Sequence, residues 1–219
     1  MEITRESFRE DVKQFRSFFK EDALTTAEKS VRLEKRGNVG LIVFDQFNER
    51  ANKLSTPNLL RLYELLNEVE SDKSIEALVF ISRKPTIFIA GADIAEIKKF
   101  GELGSKKAAE AIGKLQMIFT YLEHLPIPTI AAVHGATMGG GCELICACDY
   151  RIASDAPETK IALPEVLLGI IPGWGGTQRL PRIIGLEKAM DMILTGKAVD
   201  AKKAKKLGLV DKVAPKEVL

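Results

Sequence analysis

This sequence predicts an α/β protein with mostly parallel sheets and flanking helices, and three observations carry the prediction. Apolar, β-branched runs alternate along the chain with segments of helical periodicity, the pattern of βαβ units. The 219 residues are enough to bury a large core, in one ordinary domain or at most two small ones. Hydrophobic residues make up 46% and charged residues 28%, the balance of a folded globular chain rather than a disordered one.

Residues 1–29 form a segment apart, an N-terminal helical extension to a core spanning 30–219. Phe8, Val12, Phe15 and Phe19 fall on one stripe of a helix, with charges at the other positions. Such a stripe must be covered, and docking on its own domain is the simplest way. From Ser30 the period changes. Val31 and Leu33 alternate with charged residues, Gly37-Asn38 reads as a turn, and Val39 to Phe44 completes a hairpin. Pro57 fits the first turn of a helix capped by Ser55 or Thr56, with Leu59, Leu62, Leu66 and Val69 on its apolar face.

Ile75 to Ser82 is a continuous apolar run, the mark of a strand covered on both faces. Ala108, Ile112, Leu115, Ile118, Phe119 and Leu122 describe a second amphipathic helix, stopped by Pro126 and Pro128. Thr129 to Val133 reads as another buried strand, followed by a glycine cluster and a short helix from about Cys142. Tyr150 to Ala153 and Thr159 to Ala162 read as short strands, Gly185 to Gly196 as holding a helix, and Gly208 to Val213 as a last strand. The lysines at 197, 202, 203, 205 and 206 fit a solvated helix face better than a phosphate-binding patch.

Charge and cysteine usage exclude several functions. Thirty-two basic and 30 acidic residues leave a net charge of +2, which offers no electrostatic footprint for nucleic acid. No apolar run approaches the roughly 18 residues of a membrane span. The charged start, Met1-Glu2-Ile3-Thr4-Arg5-Glu6, lacks the apolar stretch of a secretory signal. Cys142, Cys146 and Cys148 are odd in number and clustered, so they predict a reducing compartment, the cytoplasm, rather than a disulfide framework. Leu144, Ile145 and Ala147 surround them, and neither His124 nor His134 has ligand spacing to them. They read as small buried apolar positions, not as a metal site.

The chemistry gathers at two glycine-rich places. One is Phe88-Ile89-Ala90-Gly91-Ala92-Asp93-Ile94; the other runs from His134 through Gly139-Gly140-Gly141 to Glu143. Glycine allows close backbone approach, and a helix opening on glycines leaves N–H groups free for an anion or a developing oxyanion. Neither place is a P-loop or a GxGxxG fingerprint, and the chain holds no GxSxG elbow. Glu143 lies in the first turn after the glycines, and Glu165 follows in Leu163-Pro164-Glu165-Val166. On spacing alone either is more often a solvated charge than a catalyst. His134 reads as structural at a crowded turn, Asp93 as the cap of a helix beginning near Ile94, and Trp174 as a packing or wall residue.

These residues carry a resemblance. FIAGADI (88–94), HGATMGGGCEL (134–144), DYRIAS (149–154) and LPEVLLGIIPGWGGTQRLPRIIG (163–185) resemble, in order, the signature blocks of the crotonase superfamily, the enoyl-CoA hydratases and isomerases. GLVDKV (208–213) is similar to its closing segment. The stretch NERANKL (48–54) and the extra residues between Glu143 and Glu165 lean toward the N-terminal hydratase domain of the multifunctional fatty-acid oxidation α-subunit. The resemblance implies a crotonase-like spiral of ββα units. It implies hydration of 2-enoyl-CoA to 3-hydroxyacyl-CoA in fatty-acid β-oxidation, with Glu143 and Glu165 as the catalytic carboxylates.

The resemblance further implies Ala92 and Gly140 as the oxyanion-hole donors. Substrate contacts would come from Ala51, Lys53, Ala90, Gly91, Asp93, Ile94, Gly139, Pro164 and Gly173. The implied partner is an acyl-CoA, whose CoA arrives as part of the substrate, so no separate cofactor and no metal is expected. Either a homotrimer or association with other domains and subunits of a fatty-acid oxidation complex follows from the same likeness. Two rival readings stand beside hydration: an enoyl-CoA isomerase or other crotonase-type chemistry, because one fold hosts several reactions, and an acyl-CoA-binding domain without turnover. The second rests on the chain ending at Leu219, where family members continue into helices that cover the acyl pocket. On that view the core lacks the family's C-terminal helices.

Overall fold

The computed structural model describes Arg16 and residues 19–219. The stripe expected at Phe8, Val12 and Phe15 therefore lies outside the described residues, while Phe19 packs, partly buried, against the core. Helix α1 (Glu21–Ser30) buries Leu24, Ala27 and Ser30 and lies against helix α2 (Thr56–Ser71). Between them β1 (Val31–Arg36) and β2 (Val39–Phe44) form the expected hairpin, with Gly37 in the left-handed region at φ +61°. Ser55 caps α2 by accepting the Asn58 N–H, and Leu59, Leu62, Leu66 and Val69 are all buried.

From there the chain winds in repeated β-β-helix coils. Strands β3 (Ala77–Ser82) and β4 (Ile87–Ile89) lead into α3 (Ile94–Glu102) and α4 (Ser105–Glu123). Strands β5 (Thr129–Val133) and β6 (Ala136–Met138) lead into α5 (Gly140–Cys146). Strands β7 (Tyr150–Ser154) and β8 (Lys160–Ala162) lead into a 3-10 turn (Pro164–Leu168), α6 (Gly176–Ile184) and α7 (Leu186–Thr195). A short β9 (Val199–Asp200), α8 (Ala201–Leu207) and β10 (Lys212–Ala214) follow.

In each coil the first strand joins one sheet and the second joins another. The larger sheet has the order β1-β2-β3-β5-β7-β10 and is parallel beyond the hairpin; the smaller has the order β4-β6-β8-β9 and is parallel except for β9. This is the α/β architecture with mostly parallel sheets that the alternation predicted. Phe44 of the large sheet and Phe88 of the small one meet edge to face at 6.5 Å between ring centroids, both fully enclosed. Burying a side chain of that size contributes about 1.5–3 kcal/mol, so such contacts hold the sheets together.

Several boundaries differ from expectation. The run ending at Ser82 is not covered equally on both faces: Leu78, Phe80 and Ser82 are buried, while Ala77, Val79 and Ile81 are half-buried. Thr129–Val133 alternates in the same way. An apolar run alone does not distinguish one covered face from two. The helix expected from Cys142 begins at Gly140, and the last strand begins at Lys212, because Leu209 and Val210 are buried in the turn before it. Strands β4, β6 and β9 span only two or three residues, too few to show a period. The lysines at 197, 202, 203, 205 and 206 are exposed while Ala201 and Ala204 face inward, as expected of a solvated helix face.

Candidate active site

The small sheet builds the site. Parallel neighbours end at the same edge, so the segments that leave them emerge side by side. From β4 comes Ala90-Gly91-Ala92, from β6 comes Gly139-Gly140, and from β8 comes Leu163-Pro164-Glu165. The Gly139 N–H donates to the Ala162 carbonyl at 3.0 Å and ties the second segment to the third. Gly139 has φ +52°, open to few other residues, and a Cβ there would lie 3.1 Å from Glu165 Oε1 and 3.8 Å from the Gly91 Cα. All three segments therefore touch at this glycine.

The two candidate donors, Ala92 and Gly140, directly follow Gly91 and Gly139, two of the residues that meet here. Gly140 is the first residue of α5, so its N–H has no intrahelical acceptor. Among the described residues, neither it nor the Ala92 N–H donates to a loop or turn carbonyl. Ala92 is held by a short ladder with the segment before α2: Leu54 bridges it, the Leu54 N–H donates to the Gly91 carbonyl, and the Ala90 N–H donates to the Asn52 carbonyl, each at 2.8 Å. Ala51 and Lys53 thereby lie beside the 90–92 segment. The Lys53 ammonium sits between the carboxylates of Glu49, at 3.5 Å, and Asp93, at 3.6 Å. Asp93 also caps α3, accepting from the Ala95 and Glu96 N–H groups, and Ile94 is exposed.

Both glutamates are buried. Glu143 is 2% exposed, in the first turn of α5, and its Oε1 accepts the N–H of Trp174 at 2.7 Å and of Gly176 at 2.8 Å. Burial pushes its carboxyl up to about 7. The Glu165 charge adds to the rise, while the two N–H groups and the Arg179 guanidinium oppose it. Glu165 is 8% exposed in the 3-10 turn that Pro164 opens. Burial raises its carboxyl too, and its Oε2 has no hydrogen-bond partner among the described residues.

The buried Trp174 indole packs against this place. It stacks edge to face on Phe119 at 5.8 Å and lies so close to Gly140 that a Cβ there would come within 2.5 Å of its ring. Gly173 faces Ile112 of α4 across the same side. Outside this place, His134 Nε2 pairs with the Lys84 carbonyl at 2.7 Å, a structural partnership. The three cysteines are buried, and Cys146 together with burial holds the Cys142 thiol well above its ordinary value.

Sequence reasoning missed several residues that shape the site. Asn52 is buried and crosslinks the region: its Nδ2 donates to the Phe44 and Phe88 carbonyls and to Ser82 Oγ, and its Oδ1 accepts the Gln46 N–H. Glu96 accepts both the N–H and the hydroxyl of Thr56 at 2.7 Å, joining α3 to the start of α2. Arg179 lies buried behind Trp174. Asn52 and Arg179 lie inside the motif blocks NERANKL (48–54) and LPEVLLGIIPGWGGTQRLPRIIG (163–185), and Glu96 stands between Ala95 and Ile97; none of these settings shows how far the side chain is buried.

Residues 34–219 match the family model described as enoyl-CoA hydratase/isomerase. Among solved structures, the chain is similar to an enoyl-CoA hydratase from Bacillus anthracis, with 34% identity, 86% of this chain and 71% of that one covered, and a TM-score of 0.77. It is also similar to DspI of Pseudomonas aeruginosa, with 36% identity, 85% and 68% coverage and a TM-score of 0.76. An enoyl-CoA hydratase from Thermoplasma volcanium matches at 31% identity, 86% and 73% coverage and a TM-score of 0.78. The chain belongs to the enoyl-CoA hydratase/isomerase family.

Proposed function

We propose that this chain adds water across the double bond of 2-enoyl-CoA thioesters to give 3-hydroxyacyl-CoA. The observation that supports the reading is that two buried carboxylates that act on each other electrostatically, Glu143 and Glu165, lie at the sheet edge where the Gly91-Ala92 and Gly139-Gly140 backbone comes together. As water adds to C3, negative charge moves onto the thioester oxygen. Two fixed N–H groups stabilise that enolate-like state more than the ground state, each donor contributing about 3 kcal/mol.

Glu143, whose ionised form two N–H groups favour against the effect of burial, takes a proton from water as the hydroxyl bonds to C3. Glu165, whose unpartnered Oε2 suits the oxygen that carries a proton, delivers that proton to C2. Product release leaves the two carboxyls with exchanged protonation, and exchange with solvent restores them. Two carboxylates so close do not both ionise freely, which favours one shared proton.

The substrate is an acyl-CoA whose CoA moiety reaches the Ala51–Lys53 segment; no further cofactor enters. Ala90, Gly91, Gly139, Pro164 and Gly173 line its path, with Asp93 and Ile94 at the rim. A place in fatty-acid β-oxidation, and the likeness of NERANKL (48–54) to the multifunctional α-subunit, belong to the same proposal. Self-association, or docking onto other domains of such a complex, is supported by exposed Leu186, Met190 and Leu194 along one face of α7.

The test is turnover of crotonyl-CoA and of a 3-enoyl-CoA. Crotonyl-CoA loses its enone absorbance on hydration, and Glu143→Gln and Glu165→Gln each lower kcat by about 10²–10⁴-fold. A Glu165→Gln protein with near-normal hydration sinks the assignment. Isomerisation that outpaces hydration and survives Glu143→Gln makes the chain an isomerase instead.

A further inference from the structure

Arg179 has no part in the chemistry above, yet it is buried beside it. Its Nη1 donates to the Trp174 carbonyl at 2.9 Å, its Nε and Nη2 contact Glu123 Oε2 at 3.0 and 2.8 Å, and its Nη2 also reaches Thr120 Oγ1 at 3.3 Å. Trp174 and Gly176, on either side of the turn it grips, are the residues whose N–H groups hold Glu143. Gly175 between them has φ +107°, and a Cβ there would overlap the guanidinium at 2.0 Å. The turn is thus shaped to let the guanidinium lie over it. A buried guanidinium is costly unless paired, and here the carboxylate paired with it among the described residues, Glu123, is partly exposed.

We propose that Arg179 is a positioning residue for Glu143: it fixes the Trp174–Gly176 turn that grips the carboxylate, and its positive charge, tempered by Glu123, favours the carboxylate's ionised form. Charged and titratable groups around Glu143 are few. Arg179 faces it from α6, Glu165 from the 3-10 turn, and Cys142 from its own helix. Strands β4 and β6, which also pack on α5, carry no titratable side chain. Arg179 is therefore the cation that the structure places against the turn holding Glu143.

Glu143's role in hydration rests on the function proposed above, so the test reads its protonation without substrate. The full chain is labelled with glutamate carrying 13C at the side-chain carboxyl, and the Glu143 signal is the one that disappears in Glu143→Gln. Arg179→Met raises the titration midpoint of that signal by about one pH unit, as loss of a nearby opposite charge does. Arg179→Lys restores most of it, and Glu123→Gln, which frees the guanidinium from its counter-charge, lowers it. A purely structural Arg179 changes thermal stability and leaves the midpoints in place, which overturns the inference. Should Arg179→Met fail to fold, Glu123→Gln decides alone: a lowered midpoint supports the inference, and an unmoved or raised one overturns it. A chain without hydratase activity refutes the proposed function and leaves these midpoints as valid as before.

Discussion

Replacing Glu143 by glutamine is expected to remove activity and at the same time make the protein more stable at neutral and alkaline pH. The carboxyl titrates near 7 in the folded chain against an ordinary value of 4.5. At about 1.36 kcal/mol for each pH unit, that separation costs the folded state about 3 kcal/mol once the group is ionised. With 2% exposure, solvent does little to reduce the figure. The sign follows from proton uptake. Between about 4.5 and 7 the folded chain holds more protons than the unfolded one, so stability falls as pH rises through that window and levels off above it. Glutamine keeps an oxygen for the Trp174 and Gly176 N–H groups but carries no charge. At pH 8 the variant should gain about 3 kcal/mol, or roughly 6–12 °C in Tm for a chain of this size. Near pH 4.5 the two proteins should converge. Urea unfolding from pH 4.5 to 8, followed by far-UV circular dichroism and by the fluorescence of Trp174, the chain's one tryptophan, measures both curves. The difference reports Glu143 together with its coupling to Glu165, which titrates in both proteins. Equal stability at pH 8, or parallel curves across the window, would refute the reasoning.

Two further outcomes test the geometry around the glutamates. Gly140→Ala puts a methyl group 2.5 Å from a ring carbon of Trp174. The strain should cost about 1–3 kcal/mol, and displacement of the N–H should lower kcat at least about tenfold with a smaller change in KM; an unchanged kcat argues against that N–H as a donor. Asn52→Ala removes three donated bonds and one accepted bond from a buried crosslink, which should cost about 2–4 kcal/mol in urea unfolding and raise KM for the CoA ester. A loss below about 0.5 kcal/mol would show that water replaces the amide.

The fold was legible where local chemistry and tertiary packing agree. The Gly37-Asn38 hairpin, the Ser55 cap with Pro57 behind it, and the Leu59–Val69 stripe all read directly from spacing. Of the second sheet only Lys160–Ala162 was legible, as the strand expected over Thr159 to Ala162; Ile87–Ile89 and Ala136–Met138 are too short for a pattern and are strands only because each has a parallel neighbour. Glu143 and Glu165 stood out through their motif blocks, not through spacing. Burial, which raises both carboxyls, is a property of the closed core that no local window contains. Arg179 and Asn52 were hidden for the same reason: what makes each matter is a partner far along the chain, Glu123 for one and Phe88 for the other.

The edge where β4, β6 and β8 end together also sets when the site can come into being. Ala92, Gly140 and Glu165 sit on three successive coils, and no one coil holds more than one of the three sheet-edge contributions. Closing loops of that length is entropically costly and slows folding. During refolding, helices such as Thr56–Ser71 can gain their circular dichroism signal early, from local contacts. Turnover must wait until three turns of chain are stacked in register. Recovery of activity is therefore a clock for the completed topology, and it should trail the return of helicity.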